Sequence, residues 1–297
     1  MQQLDIFNDS RDRVLINTLA EVIEQGDAAQ ARAAETALRQ EFPDDRHLPA
    51  AARLIEQLDQ EAQAGTTPLA DHAAALAARL ALEGSVHDAA HTLLGHGAAA
   101  AWRAGRWCAL ARRAGALRYV PAQADAYAAA LFIKGRSWAE AAMAVAAIDS
   151  WRRQPEPLCW MVQARWHVHG ADATWPLLAE AAWLAPQRMP ALLAGLDDPR
   201  LLKWVRAFEA FDACYDQADT TTAWLWWPAW LLVEQPLLAA PLDSAQTAGA
   251  APPERAFKLL QSLLRLERQG RHRDIVALRR ELQGLHHALF AAYMAPR

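Results

Sequence analysis

Runs of β-branched residues are rare in this sequence, and glycine is scarce, with 13 in 297 residues. Both lacks count against extended sheet and, with alanine abundant throughout, favour helix. Cysteine is nearly absent too. Cys108, Cys159 and Cys214 lie far apart, an odd number without a C-x-x-C pair. That argues against a disulfide framework and against a zinc site, and the three read as small buried apolar residues in a reducing cytoplasm. The first residues show no succession of basic, apolar and small positions, so no signal peptide is expected. The most apolar run, Ala223 to Val233, is too short to span a bilayer and contains Pro228. The expected location is cytoplasmic, with no membrane partner. A net charge of −4 gives no global drive toward nucleic acid or anionic lipid.

Signatures of chemistry are also lacking. There is no G-x-S-x-G, no glycine-rich phosphate loop and no G-x-G-x-x-G after a strand. The paired carboxylates Asp44-Asp45 and Asp197-Asp198 each lie beside a proline at a helix boundary, where turn and capping roles explain them. The expectation is a protein that is not an enzyme and carries no cofactor.

What is present is a long run of helical pattern, with an apolar fraction of 53% that is ample for a core. Ser10 can cap a helix whose Leu15, Leu19, Val22 and Ile23 share a face, and Gly26 ends it. Asp27 can cap the next, which runs to about Glu41 and stops before Pro43. A third helix is predicted over His47–Ala64 with Ala51, Leu54, Ile55 and Leu58 inward. A fourth runs on toward Leu82, with Pro68 in its first turn. Further short breaks fall at Gly84-Ser85, Gly95 to Gly97, Gly105, Gly115, Pro121, Gly135, Pro155 to Pro157, Gly170 and Pro186 to Pro190. Short breaks imply antiparallel neighbours, so the expected fold is all-α, built of stacked antiparallel helical hairpins.

The stretch EVIEQGDAAQARAAETALRQEFPDD resembles the tetratricopeptide repeat. Gly26 closes one helix, Ala31 is the small residue where two helices cross, and Pro43 ends the second. Weaker echoes occur in GRSWAEAAMAVAAIDSWRRQP, ARWHVHGADATWPLLAEAAWLAP and LERQGRHRDIVALRREL. Leu38 departs from the pattern in the first, and the later ones need one-residue shifts. The resemblance implies a degenerate tetratricopeptide-like superhelix, since one hairpin cannot bury both of its faces. The expected organisation is a tail over 1–10, a helical-hairpin body over 11–218, a Trp-rich segment and Pro-rich loop over 219–253, and a terminal hairpin over 254–297.

Three groups of side chains are candidates for a site. In SVHDAAHTLLGHG, His87 and His91 lie four apart on one helical side, with His96 beyond them. With Asp88 as the carboxylate they would be the ligands and base of a metal-dependent hydrolase. The competing reading is a polar helix face. His167 and His169 alternate and are read as a polar helix end. Among 13 tryptophans, those from Trp102 to Trp204 read as core filling between alanine-rich helices. Trp224, Trp226, Trp227 and Trp230 are harder to bury on all sides. Trp226 and Trp230 share a helical face, Trp227 points elsewhere, and together they could offer a stacking or peptide-binding surface. The competing reading is packing against the preceding hairpins. From Glu254 onward bases outnumber acids, the mark of solvated faces or of a phosphate-binding face that associates with nucleic acid weakly.

The remaining candidate is Gln3-Leu4-Asp5-Ile6-Phe7. A polar anchor followed by two adjacent bulky apolar residues suits a groove binder, and Asn8-Asp9-Ser10 can supply a turn and then a cap for the first helix. The competing reading is an intramolecular strap, with Ile6 or Phe7 stapled onto Val14 or Leu15. QLDIF resembles the peptide by which bacterial replication and repair proteins dock on the sliding clamp. Ile6 stands where leucine is usual. The resemblance implies that Gln3 makes polar contacts at one subsite, that Leu4 adds a smaller apolar contact, and that Ile6 and Phe7 fill a hydrophobic pocket. The function expected is thus a non-enzymatic adaptor that binds a protein or peptide and is tethered to the clamp.

Overall fold

The structure is a computed structural model. It describes residues 3–213, 220–247 and 249–295, with backbone alone for residues 3–10, 212, 213, 220 and 221. Among the described residues every regular element is helical and there is no strand. The chain divides into two compact units, Met1–Ala144 and Val145–Arg297. The division falls inside the body expected over 11–218.

The first unit contains α1 (Gln3–Gln25), α2 (Ala28–Glu41), α3 (Leu48–Ala64), α4 (His72–Glu83), α5 (Ser85–Ala114), α6 (Ala128–Lys134) and the start of α7 (Trp138–Ala146). The turn between α1 and α2 forms as its residues dictate. Gly26 takes φ +79°, a left-handed value that costs glycine little. Asp27 then caps α2, accepting hydrogen bonds from the Ala29 and Gln30 amides at 3.0 Å each. Ala31 is fully buried. On α3, Ala51, Leu54, Ile55 and Leu58 are inward as their spacing predicts, and Gly65 is the C-cap.

The boundaries differ in three places. α1 begins at Gln3, not after Ser10. Pro68 precedes α4, whose cap is Asp71, accepting from the Ala74 amide at 2.8 Å. Gly105 lies within α5 and breaks nothing, because Trp102, Trp107 and Leu110 on its two sides are buried and hold the helix in place. α5 is the centre of this unit and packs against α1, α3, α4 and α6. The Trp102 indole N–H donates to the Ile23 carbonyl at 2.8 Å, tying the last turn of α1 to α5.

The second unit contains the end of α7, then α8 (Pro155–His169), α9 (Trp175–Leu184), α10 (Met189–Ala194), α11 (Pro199–Ala213), α12 (Thr220–Ala223), α13 (Trp227–Glu234), α14 (Pro252–Arg268), α15 (Ile275–Leu285) and α16 (His287–Met294). α8 pairs with α9, α14 with α15, and α15 with α16, while α13 packs against α9, α14 and α16. Every residue of α13 from Trp227 to Val233 is buried. A helix apolar all round belongs in an interior. The helices after residue 254 pair with one another and also pack on α13. Phe257, Leu260, Leu263 and Leu264 of α14 need a cover, and α13 provides it.

Candidate functional site

A cleft of about 220 Å³ lies in the first unit between α3, α4 and α5. Helical spacing assembles it. Gln57, Gln60 and Glu61 come from one stripe of α3, and Arg106 and Arg113 from one stripe of α5, while Ala81 and Leu82 of α4 form an apolar wall. Glu61 Oε2 lies 3.0 Å from Arg106 Nε, and its Oε1 accepts from Gln57 Nε2 at 2.9 Å. The first contact is an ion pair more than an aligned hydrogen bond, since Arg106 Nε is buried and has no acceptor in line. The Arg106 guanidinium lies 5.0 Å from the centre of the Trp102 ring, a cation–π contact that fixes its plane. Arg113 Nε donates to the Thr67 carbonyl at 3.0 Å and so holds the loop between α3 and α4.

Burial raises the pKa of Glu61 above the usual carboxylate range, and Arg106, Gln57 and Arg113 only partly oppose it. A desolvated carboxyl beside two guanidinia is a binding arrangement, able to meet a donor and an acceptor of one ligand group. No serine, cysteine or histidine lines the cleft, so it holds no nucleophile–base pair. Nothing in the local pattern around Glu61 points to the cleft.

The three histidines do meet. The His87 and His91 rings are 4.4 Å apart between centres, and His91 and His96 are 5.1 Å apart. Gly95, at φ +74°, interrupts α5 and lets His96 return to the same side. Even so, no group of three or more histidine, cysteine, aspartate or glutamate side chains among the described residues is arranged to hold a metal ion. His87, His91 and His96 thus lie together as a cluster of rings on α5.

The cluster has an electrostatic consequence. Desolvation lowers the pKa of His91 below its ordinary 6.5, and the charges of His87, His96 and Arg103 add to this against Asp88. The unfolded chain then takes up this proton at higher pH than the folded one. The stability His91 contributes is complete above about pH 6.5 and is lost as pH falls toward the folded value. An NMR titration of the His91 ring should give a midpoint below 6.5, moved upward by His87→Ala. A midpoint unmoved by that substitution would show that the rings do not interact.

The tryptophan surface needs correction. Trp224 is 6% exposed, and Trp227 and Trp230 are each 1% exposed. Trp224 and Trp230 pack on Phe208 with ring centres 5.1 and 5.2 Å away. Trp226 is half-buried against His286 at 4.5 Å. A 3-10 turn over Trp224–Trp226 shifts the phase before α13, so the single wheel that paired Trp226 with Trp230 does not apply. These rings are core of the second unit.

The side chains of Gln3, Leu4, Asp5, Ile6 and Phe7, and the whole of Cys214, lie outside the described residues. Cys159 is buried, which pushes its thiol up to about 12, and Cys108 is half-buried with its thiol raised by burial. α8 ends at His169 with Gly170 as cap, consistent with a polar helix end. No described helix is long and apolar enough to cross a membrane. Of the bases after residue 254, Arg255 pairs with Glu281 at 2.6 Å, Arg271 with Asp274 at 2.7 Å, and Arg279 with Glu267 at 3.1 Å. Compared with models of protein families, with curated proteins and with solved structures, the chain matches none.

Proposed function

We propose that this chain is a non-enzymatic protein-interaction adaptor, tethered to a bacterial sliding clamp by Gln3–Phe7 and taking a partner's segment at the Glu61–Arg106 cleft. Its hairpins are read as degenerate tetratricopeptide-like units. The observation that carries the tethering is how α1 is held. From residue 11 onward its buried residues are Leu19 and Ile23, near its C-terminal end, whereas no residue from 11 to 18 is buried and Val14 is 61% exposed. The stretch next to the clamp-like peptide thus adds no fully buried residue to the core, although Leu15 and Ile16 are half-buried. Releasing residues 11–18 from the body to present an extended peptide removes no fully buried side chain from the core.

The cleft supports the interaction half of the reading by its size. At about 220 Å³ it is below the roughly 300–1,000 Å³ of small-molecule sites, and it suits one or two side chains of a partner. Its opposed charges suit a polar side chain of that segment.

Surface plasmon resonance against an immobilised bacterial sliding clamp tests the tether. The unaltered chain should bind saturably, and Ile6→Ala with Phe7→Ala should weaken binding by at least about tenfold, as expected for losing two pocket-filling side chains. Equal, negligible signals from both proteins would remove the clamp from the reading.

A further inference from the structure

In the second unit, a different group of side chains is left unneutralised. Lys258, Gln261, Ser262, Arg265 and Arg268 occupy one stripe of α14, away from the buried Leu260 and Leu263, and the Lys258 ammonium lies 5.8 Å from the centre of the Phe257 ring. Together with Asp243 they line a cavity of about 460 Å³, closed on the other side by the 3-10 turns Pro236–Ala239 and Pro241–Ser244. Three cations against one carboxylate leave two positive charges in excess on the lining.

The contrast with neighbouring bases is informative. Arg255, Arg271 and Arg279 each have a carboxylate partner. Among the described residues, Lys258, Arg265 and Arg268 have none within ion-pair distance. Arg268 gives one N–H to the Pro236 carbonyl at 2.8 Å, which orients the guanidinium and leaves its other donors free. Gln261 Nε2 donates to the Leu242 carbonyl at 3.2 Å. The nearest acid along the stripe, Glu254, accepts from Thr247 Oγ1 and the Gly249 amide at 2.6 Å each and makes no ion pair with Lys258. Like charges gathered in a concavity repel one another, and an anion bound among them relieves that repulsion while taking charge-assisted hydrogen bonds.

Size and spacing select the anion. Lys258 and Arg265 are separated by about 10 Å of helical rise and Arg268 lies about 5 Å further on, so a ligand with two linked phosphates meets more of these donors at once than a single phosphate does. A volume of about 460 Å³ lies inside the range of about 300–1,000 Å³ for small-molecule sites. A nucleic-acid strand needs a continued track of free cations, and the nearby Arg255, Arg271 and Arg279 are taken up by carboxylates. We propose that this pocket binds a small molecule through two linked phosphates, bridging Lys258 at one end and Arg265 with Arg268 at the other, with the Ser262 hydroxyl donating between them.

Titration calorimetry of the full chain at low ionic strength, with pyrophosphate as the probe, tests this. Pyrophosphate should saturate one site, and orthophosphate should bind at least about tenfold more weakly. Lys258→Glu with Arg265→Glu should lower pyrophosphate affinity by at least about tenfold, with the far-UV circular dichroism unchanged because both side chains are exposed. Lys258→Ala with Arg265→Ala is the milder variant should charge reversal disturb folding, and Arg255→Glu is the control expected to bind as the unaltered chain does. No saturable heat at millimolar pyrophosphate, or equal affinity in the Lys258/Arg265 variants, would overturn the proposal. So would an oligothymidylate that binds more tightly than pyrophosphate and shows the same sensitivity, since that would assign the face to a strand. None of these outcomes depends on the clamp peptide.

Discussion

Replacing Trp230 by alanine is expected to lower the stability of the second unit by about 3–5 kcal/mol, the usual cost of removing a large aromatic ring from a packed core. Trp230 is among the largest fully buried side chains and meets Phe208 and Phe211 at ring-centre distances of 5.2 and 6.5 Å. Its neighbours come from α11 and cannot close the space without moving a helix. A tryptophan serving as an exposed docking ring would behave otherwise, since surface substitutions usually change stability by no more than about 0.5 kcal/mol. Urea unfolding followed by far-UV circular dichroism separates the two cases. Unchanged stability in Trp230→Ala would return this ring to the surface. Trp226→Ala, at a half-buried position, should cost about 1 kcal/mol.

Glu180→Ala should be the next most damaging change, at about 2–3 kcal/mol. Glu180 is buried, and its carboxylate is shared three ways. Arg152 donates from Nε and a terminal nitrogen at 2.6 Å each, and the Gln246 amide donates at 2.7 Å. One side chain thus joins α9 to the turn before α8 and to the loop before α14. Truncation strands a guanidinium and a backbone N–H together. The cost falls below that of a wholly buried pair because the Arg152 side chain remains 31% exposed and water screens it. Glu180→Gln keeps an acceptor and should lose about half as much. If Glu180→Ala and Glu180→Gln unfold at the same urea concentration as the unaltered chain, the pair does not hold these segments.

Both residues show what the sequence conveys and what it does not. Local chemistry is legible. Asp27 as a cap, Gly26 and Gly65 as helix ends, and the inward stripe of α3 arise from side chains acting on their own few neighbours. The interior position of α13 is also visible in retrospect, because Ala229, Leu231, Leu232 and Val233 fill every face that Trp227 and Trp230 leave. It is misread when a continuous wheel is drawn across the 3-10 turn that precedes it. Long-range pairings are a different matter. Glu180 meets Arg152 and Gln246 only because three segments converge, and no periodicity along α9 announces an acid in the core. The Glu61–Arg106 cleft is hidden for the same reason, since α3 and α5 each look like ordinary amphipathic helices. The charge excess after residue 254 is plain in the composition. Which bases are neutralised is decided by α15, whose Glu281 takes Arg255 while Lys258 and Arg265 face away.

The bond from Trp102 to the Ile23 carbonyl spans 79 positions of chain. At about 5–20 residues per second on the ribosome, the indole is made roughly 4 to 16 seconds after the carbonyl it caps. During that interval the Ile23 end of α1 lacks its partner, and α1 through α3 present to the nascent environment the face that α5 will occupy. The first unit is thus completed by its fifth helix, and a nascent chain halted before residue 102 exposes an apolar surface open to chaperones.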